Sequence, residues 1–161
     1  MKRMMAILLL SVMLLSSCTY TKDGDADYVP RDAYVLPTSD TEEKGSVDYV
    51  VARLVEMGQV VRDYNELKAE GIGAKEACSI RTNGVTVEFY RFDKDHVLYQ
   101  KTLELGAYPV LDEQGQVLNT FRASVNGDII MMIPADVNKH QEDITALNDK
   151  LTERFQSIKL D

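Results

Sequence analysis

The chain has 161 residues, with 18 Lys and Arg against 26 Asp and Glu, a formal net charge of −8. Such a balance repels nucleic acid and anionic lipid headgroups, which argues against a nucleic-acid-binding role or a basic membrane patch. Two cysteines, Cys18 and Cys78, are too few for the disulfide framework of a small secreted scaffold.

Lys2 and Arg3 open the chain, and Met4 to Leu15 is an apolar run of 12 residues interrupted only by Ser11. A membrane-spanning helix needs about 20 such residues and a secretory core roughly 7 to 15, so the run reads as a signal peptide and is excluded from the fold. Leu15-Ser16-Ser17-Cys18 follows: a branched apolar residue, two small residues and a cysteine. This order resembles the lipobox of bacterial lipoproteins. The resemblance implies cleavage before Cys18 and a diacylglyceryl group on its thiol, with Leu15, Ser16 and Ser17 as the recognition residues. Two acyl chains anchor stably, where one binds only marginally. It also implies an extracytoplasmic location on a membrane, the outer one if the host has two, because Thr19 is not the aspartate that retains many such proteins at the inner membrane. Removing Lys2 and Arg3 with the signal leaves 16 basic residues against 26 acidic ones, a net charge of −10. Cys78 then has no intramolecular partner.

Residues 18–45 read as the lipidated cysteine and a tether rich in Asp, Thr, Ser, Gly and Pro. A flexible chain of that length has an end-to-end distance on the order of 30 Å. Within it, Asp27-Tyr28-Val29-Pro30 is echoed by Ala33-Tyr34-Val35-Leu36-Pro37. Each segment is either a short extended piece able to add to a sheet edge or part of a solvated linker. Asp23, Asp25 and Asp27 open like a calcium loop, but Tyr28 and Tyr34 stand where its Gly and Glu are needed, so no calcium site is assigned.

Residues 46–161 read as one globular domain. Val47, Val50, Val51, Leu54, Met57, Val61, Tyr64 and Leu67 recur in steps of three and four, predicting a helix capped by Ser46 and stopped near Gly71, with a bend or break at Gly58. Two strands follow, Ala77–Thr82 and Val85–Phe92, joined by an Asn83-Gly84 hairpin turn. Tyr90 and Phe92 fall out of phase with Val85, Val87 and Phe89, so the second strand has a bulge or is covered on both faces. Asp93 is placed to cap a helix over Lys94–Leu105 with an apolar side of Val97, Leu98, Thr102 and Leu105, stopped by Gly106.

Three more strands are expected: Ala107–Leu111, Val117–Val125 and Asp128–Ile133, the last two joined at Asn126-Gly127. Ile144, Leu147, Leu151, Phe155 and Ile158 mark a final helix of about 18 residues starting near Asp136 or Asn138. The fold class is therefore α+β: an antiparallel sheet of about five strands with helices mainly on one face, in the order α-β-β-α-β-β-β-α. Val-Glu-Phe-Tyr-Arg-Phe-Asp at 87–93, a helix ending in Gly and a later Val-Asn-Gly-Asp at 125–128 resemble small lipoproteins of gut bacteria, a resemblance that implies no activity.

Chemistry-bearing patterns are few. His96 lies with Asp93 and Asp95, and His140 with Asp136, Asn138, Glu142 and Asp143, but neither group has a metal-ligand spacing. Both stand at expected helix starts, where short polar side chains satisfy free N–H groups. Cys78 reads as a small core side chain, Gly71-Ile72-Gly73 as a turn, and Met131 with Met132 as part of a strand covered on both faces. The expectation is a lipid-anchored, non-catalytic binding or assembly module for an envelope partner or ligand, without cofactor. The alternative is a small envelope hydrolase working through carboxylates.

Overall fold

The computed structural model describes residues 36–134 and 141–161, which belong to one compact unit. The signal, Cys18 and most of the expected tether, including Asp27–Pro30 and Ala33–Val35, lie outside the described residues. Residues 36–45 form turns held to the domain: Ser39 Oγ donates to the Glu56 carboxylate, and Lys44 Nζ donates to the Asp161 carbonyl.

Helix α1 spans Val47–Glu56. Ser46 caps it as expected, its Oγ accepting from the Tyr49 N–H at 3.0 Å. Val47, Val50, Val51 and Leu54 turn inward. The helix is shorter than the apolar period predicts. It ends where Gly58 adopts φ 82°, a left-handed conformation that stops it outright. Val61, Tyr64 and Leu67 therefore do not continue the stripe, and Asp63–Glu66 forms a strand, β1, absent from the expected order. A single 3-10 turn at Glu70–Ile72 follows, so Gly71 sits inside that turn instead of ending a long helix.

Strands β2 (Glu76–Thr82) and β3 (Val85–Arg91) pair across Asn83-Gly84, whose φ values of 52° and 81° are those a type I′ hairpin turn demands. Helix α2 spans Val97–Leu105. Strands β4 (Ala107–Leu111), β5 (Val117–Asn126) and β6 (Ile129–Ile133) follow, and helix α3 spans Gln141–Ser157. The sheet has six strands in the order β1-β2-β3-β6-β5-β4, with every pairing antiparallel. Two three-stranded meanders thus meet along β3 and β6, with Phe89 opposite Met131 and Arg91 opposite Ile129. The α+β class holds, with six strands among the described residues instead of about five, and there the order α-β-β-β-α-β-β-β-α.

Side chains alternate across a strand, so the two central strands serve two cores. Val85, Val87 and Phe89 of β3 and Ile129, Met131 and Ile133 of β6 meet α1 and α3 through Val50, Leu54, Leu151 and Phe155. Ile130 and Met132 of β6 face the other way, with Phe92, Tyr108 and Tyr99 of α2. Two helices cover one face and one covers the other. Tyr90 and Phe92 are out of phase because β3 is covered on both sides; its register with β2 runs unbroken.

One cap assignment, the apolar side of one helix and one turn are corrected. His96, not Asp93, caps α2: Nδ1 accepts from the Leu98 N–H at 3.3 Å, and Asp93 pairs with Lys75 at 2.6 Å. Of the expected apolar side of α2, Thr102 is buried and Leu98 packs part-buried on the core, while Val97 and Leu105 are 54% and 45% exposed; Tyr99, outside that side, turns inward. Asn126 closes β5 opposite Ile129, which puts Gly127-Asp128 at the corner. Its amide is occupied elsewhere, donating to the Phe155 and Ile158 carbonyls at 2.7 and 2.9 Å. The start of α3 at Asp136 or Asn138 lies outside the described residues.

Candidate functional site

Leu15, Ser16, Ser17 and Cys18, the residues expected to direct and carry lipid, lie outside the described residues. Among the described residues, one concave feature with converging polar groups is a groove of about 700 Å³ at the β1 edge of the sheet. The start of α1, strand β1 and the loop from Leu67 to Lys75 enclose it. Its walls carry Glu42, Glu43, Asp48, Glu66, Glu70 and Glu76 against Lys68 and Lys75. A second hollow of about 210 Å³ shares Glu42, Asp48, Tyr64 and Glu66 with it and continues past Leu36, Pro37 and Thr38.

Local sequence dictates where these groups stand. Ser46 fixes the first turn of α1, which presents Asp48 at the positive end of the helix, where a carboxylate is favoured. The period of two along β1 puts Tyr64 and Glu66 on one face. Tyr64 donates its hydroxyl proton to Asp48, and burial followed by that bond pushes the phenol well above its ordinary range. The loop after β1 is closed by the 3-10 turn, with the Ala74 N–H on the Ala69 carbonyl at 3.1 Å, which holds Glu70 at the rim.

Glu76 has a structural task at the groove's inner end. One oxygen accepts from the Val47 N–H at 2.9 Å and the other from Arg91 Nη1 at 2.7 Å. Arg91 Nε reaches Asp128 Oδ2 at 2.9 Å, and these bonds, the one to Asp128 first, hold the guanidinium's pKa above its usual value. Asp48 and Glu76 are thus committed within the domain. Glu43, Glu66 and Glu70 make no ion pair among the described residues.

The other candidates have structural partners. His96 stacks on Phe92 with ring centroids 4.9 Å apart and caps α2. Cys78 is fully buried in the core shared by α1 and α3, and desolvation pushes its thiol far above the range in which it forms a thiolate. Ile129 to Ile133, with Met131 and Met132 among them, are buried on both faces. His140 and its polar neighbours Asp136, Asn138, Glu142 and Asp143 lie where nothing of their side chains is described. Among the described residues no group of three or more His, Cys, Asp or Glu is arranged to hold a metal ion.

Sequence reasoning does not single out Asp48, Glu66 or Glu70, and it takes Tyr64 only as part of the helical stripe. The signal that finds them is the stop at Gly58, which separates Tyr64 and Glu66 from α1 and turns them into alternate residues of an edge strand. No family model, curated protein or solved structure matches the chain.

Proposed function

We propose that this chain is a lipid-anchored envelope protein, attached through Cys18, that works as a non-catalytic binding or assembly module, with the groove beside β1 as its ligand site. The observation that carries the reading is the groove itself. It is large enough for a small ligand or a chain segment, and its rim carboxylates Glu43, Glu66 and Glu70 are left over after the ion pairs among the described residues are made. The anchoring half rests on the order of charge, apolar run, small residues and cysteine from Lys2 to Cys18.

Two experiments test the halves separately. Mass spectrometry of the mature N-terminus is expected to find a diacylated Cys18; an unmodified cysteine overturns the anchor. Affinity purification from detergent-solubilised envelopes is expected to enrich a partner that a groove-filling Glu70→Trp variant no longer retains. Identical recoveries with both proteins remove the groove from the proposal.

A further inference from the structure

We infer that the groove takes an extended, lysine- or arginine-bearing polypeptide segment of an envelope partner, an inference that rests on the groove being the binding site.

Shape is the first argument. The two hollows share Glu42, Asp48, Tyr64 and Glu66, so together they form a trough that follows β1 from the 3-10 turn to Thr38. A trough beside a strand suits an extended chain, in which alternate side chains point the same way about 7 Å apart.

Charge and floor give the second. Asp48 is held by Tyr64, Glu76 by Arg91, and Lys75 by Asp93. Among the described residues, that leaves Glu42, Glu43, Glu66 and Glu70 facing Lys68, with the Thr41 hydroxyl donating to Glu42 at 3.3 Å. Leu67 is the part-exposed apolar residue of the lining, with Val47, Ala69 and Ala77 buried behind it. Lysine and arginine match both parts, because their aliphatic stems lie on apolar surface while their cationic heads reach the rim. An acidic segment meets repulsion along the same path, which discriminates between partners.

The test uses the mature lipidated protein in detergent and three fluorescein-labelled peptides that alternate valine with lysine, serine or glutamate. Fluorescence anisotropy is expected to show the lysine peptide binding best, and more weakly at high salt. Glu66→Lys combined with Glu70→Lys is expected to weaken it about tenfold or more. Glu113→Lys, in the turn between β4 and β5 and away from the groove, is expected to leave it unchanged. Circular dichroism on each variant separates lost binding from lost fold. Equal weakening by Glu113→Lys means attraction to overall charge and overturns the inference, as does failure of the lysine peptide to bind. A serine or glutamate peptide that binds as well and is displaced by Glu70→Trp keeps the groove and discards its basic ligand. Binding of the lysine peptide that ignores Glu70→Trp overturns both.

Discussion

The backbone N–H of Val47, at the start of α1, donates to Glu76 Oε2 at the start of β2 over 2.9 Å, so a residue 29 positions downstream closes the first turn of the helix. The same carboxylate grips Arg91, and Arg91 grips Asp128. One chain of hydrogen bonds therefore ties α1 to both meanders.

Glu76→Ala is expected to lower stability by about 2 kcal/mol, because it removes a charge-assisted bond from a half-buried arginine and leaves a helix N–H unpaired. Glu76→Gln keeps an acceptor for Val47 and is expected to cost less. Urea denaturation monitored by circular dichroism measures both.

Gly73 and Gly84 provide a paired test of backbone against contact. Both have positive φ, 72° and 81°, so alanine at either costs about 1 kcal/mol or more from strain. A Cβ at Gly84 meets open space, whereas one at Gly73 runs into the His96 imidazole. Gly73→Ala is expected to be the more damaging, since displacing that ring also removes the α2 cap and the stack on Phe92. Thermal unfolding of the two variants gives the order.

Alkali is expected to unfold the domain. Burial pushes the Tyr108 phenol up to about 12 from an ordinary value near 10, and Tyr64 and Tyr90 are pushed in the same direction, chiefly by burial. A phenol raised in the folded state favours the protonated form there. Its contribution to stability is complete below about pH 10 and is lost as pH rises toward 12. Tyrosinate absorbance is expected to rise late and together with the loss of circular dichroism.

Phe155 anchors α3 against Phe89, their ring centroids 5.9 Å apart, and both are fully buried. Phe155→Ala is expected to cost about 4 kcal/mol through lost burial and the cavity left behind. Cys78, in the same core, is expected to resist alkylation in the native protein and to react at once in denaturant, which mass spectrometry reads directly.

The sequence was most legible where one local rule sufficed. Asn83-Gly84 needs positive φ at both positions, and that requirement alone announces a hairpin. The alternation of Val85, Val87 and Phe89, and the five consecutive apolar residues from Ile129 to Ile133, announce a half-buried run and a doubly covered strand. β1 was hidden for two reasons. Asp63, Asn65 and Glu66 are poor strand formers, and Tyr64 continues by coincidence the helical spacing of α1. Only pairing with β2 makes the segment a strand, and that partner lies some fifteen residues away in sequence. The groove inherited the same obscurity, because its walls come from separate elements. The cap of α2 was misassigned because Asp93 is the better N-cap residue by type, while the hydrogen bond belongs to whichever side chain the loop delivers.

Joining two meanders through β3 and β6 also sets the order of assembly. Each meander is a run of neighbouring strands with local turns, and hairpins of this kind close within about 10 µs. The seam between Glu88–Arg91 and Ile129–Met132 must bring together segments separated by all of α2, β4 and β5. Its closure pays the entropy of that long loop before Phe89 and Met131 return any burial. The rate-limiting event in folding is therefore expected at the middle of the finished sheet. Until the seam closes, β3 and β6 each present an unpaired strand edge beside apolar side chains, and that interval is when the chain is most open to aggregation.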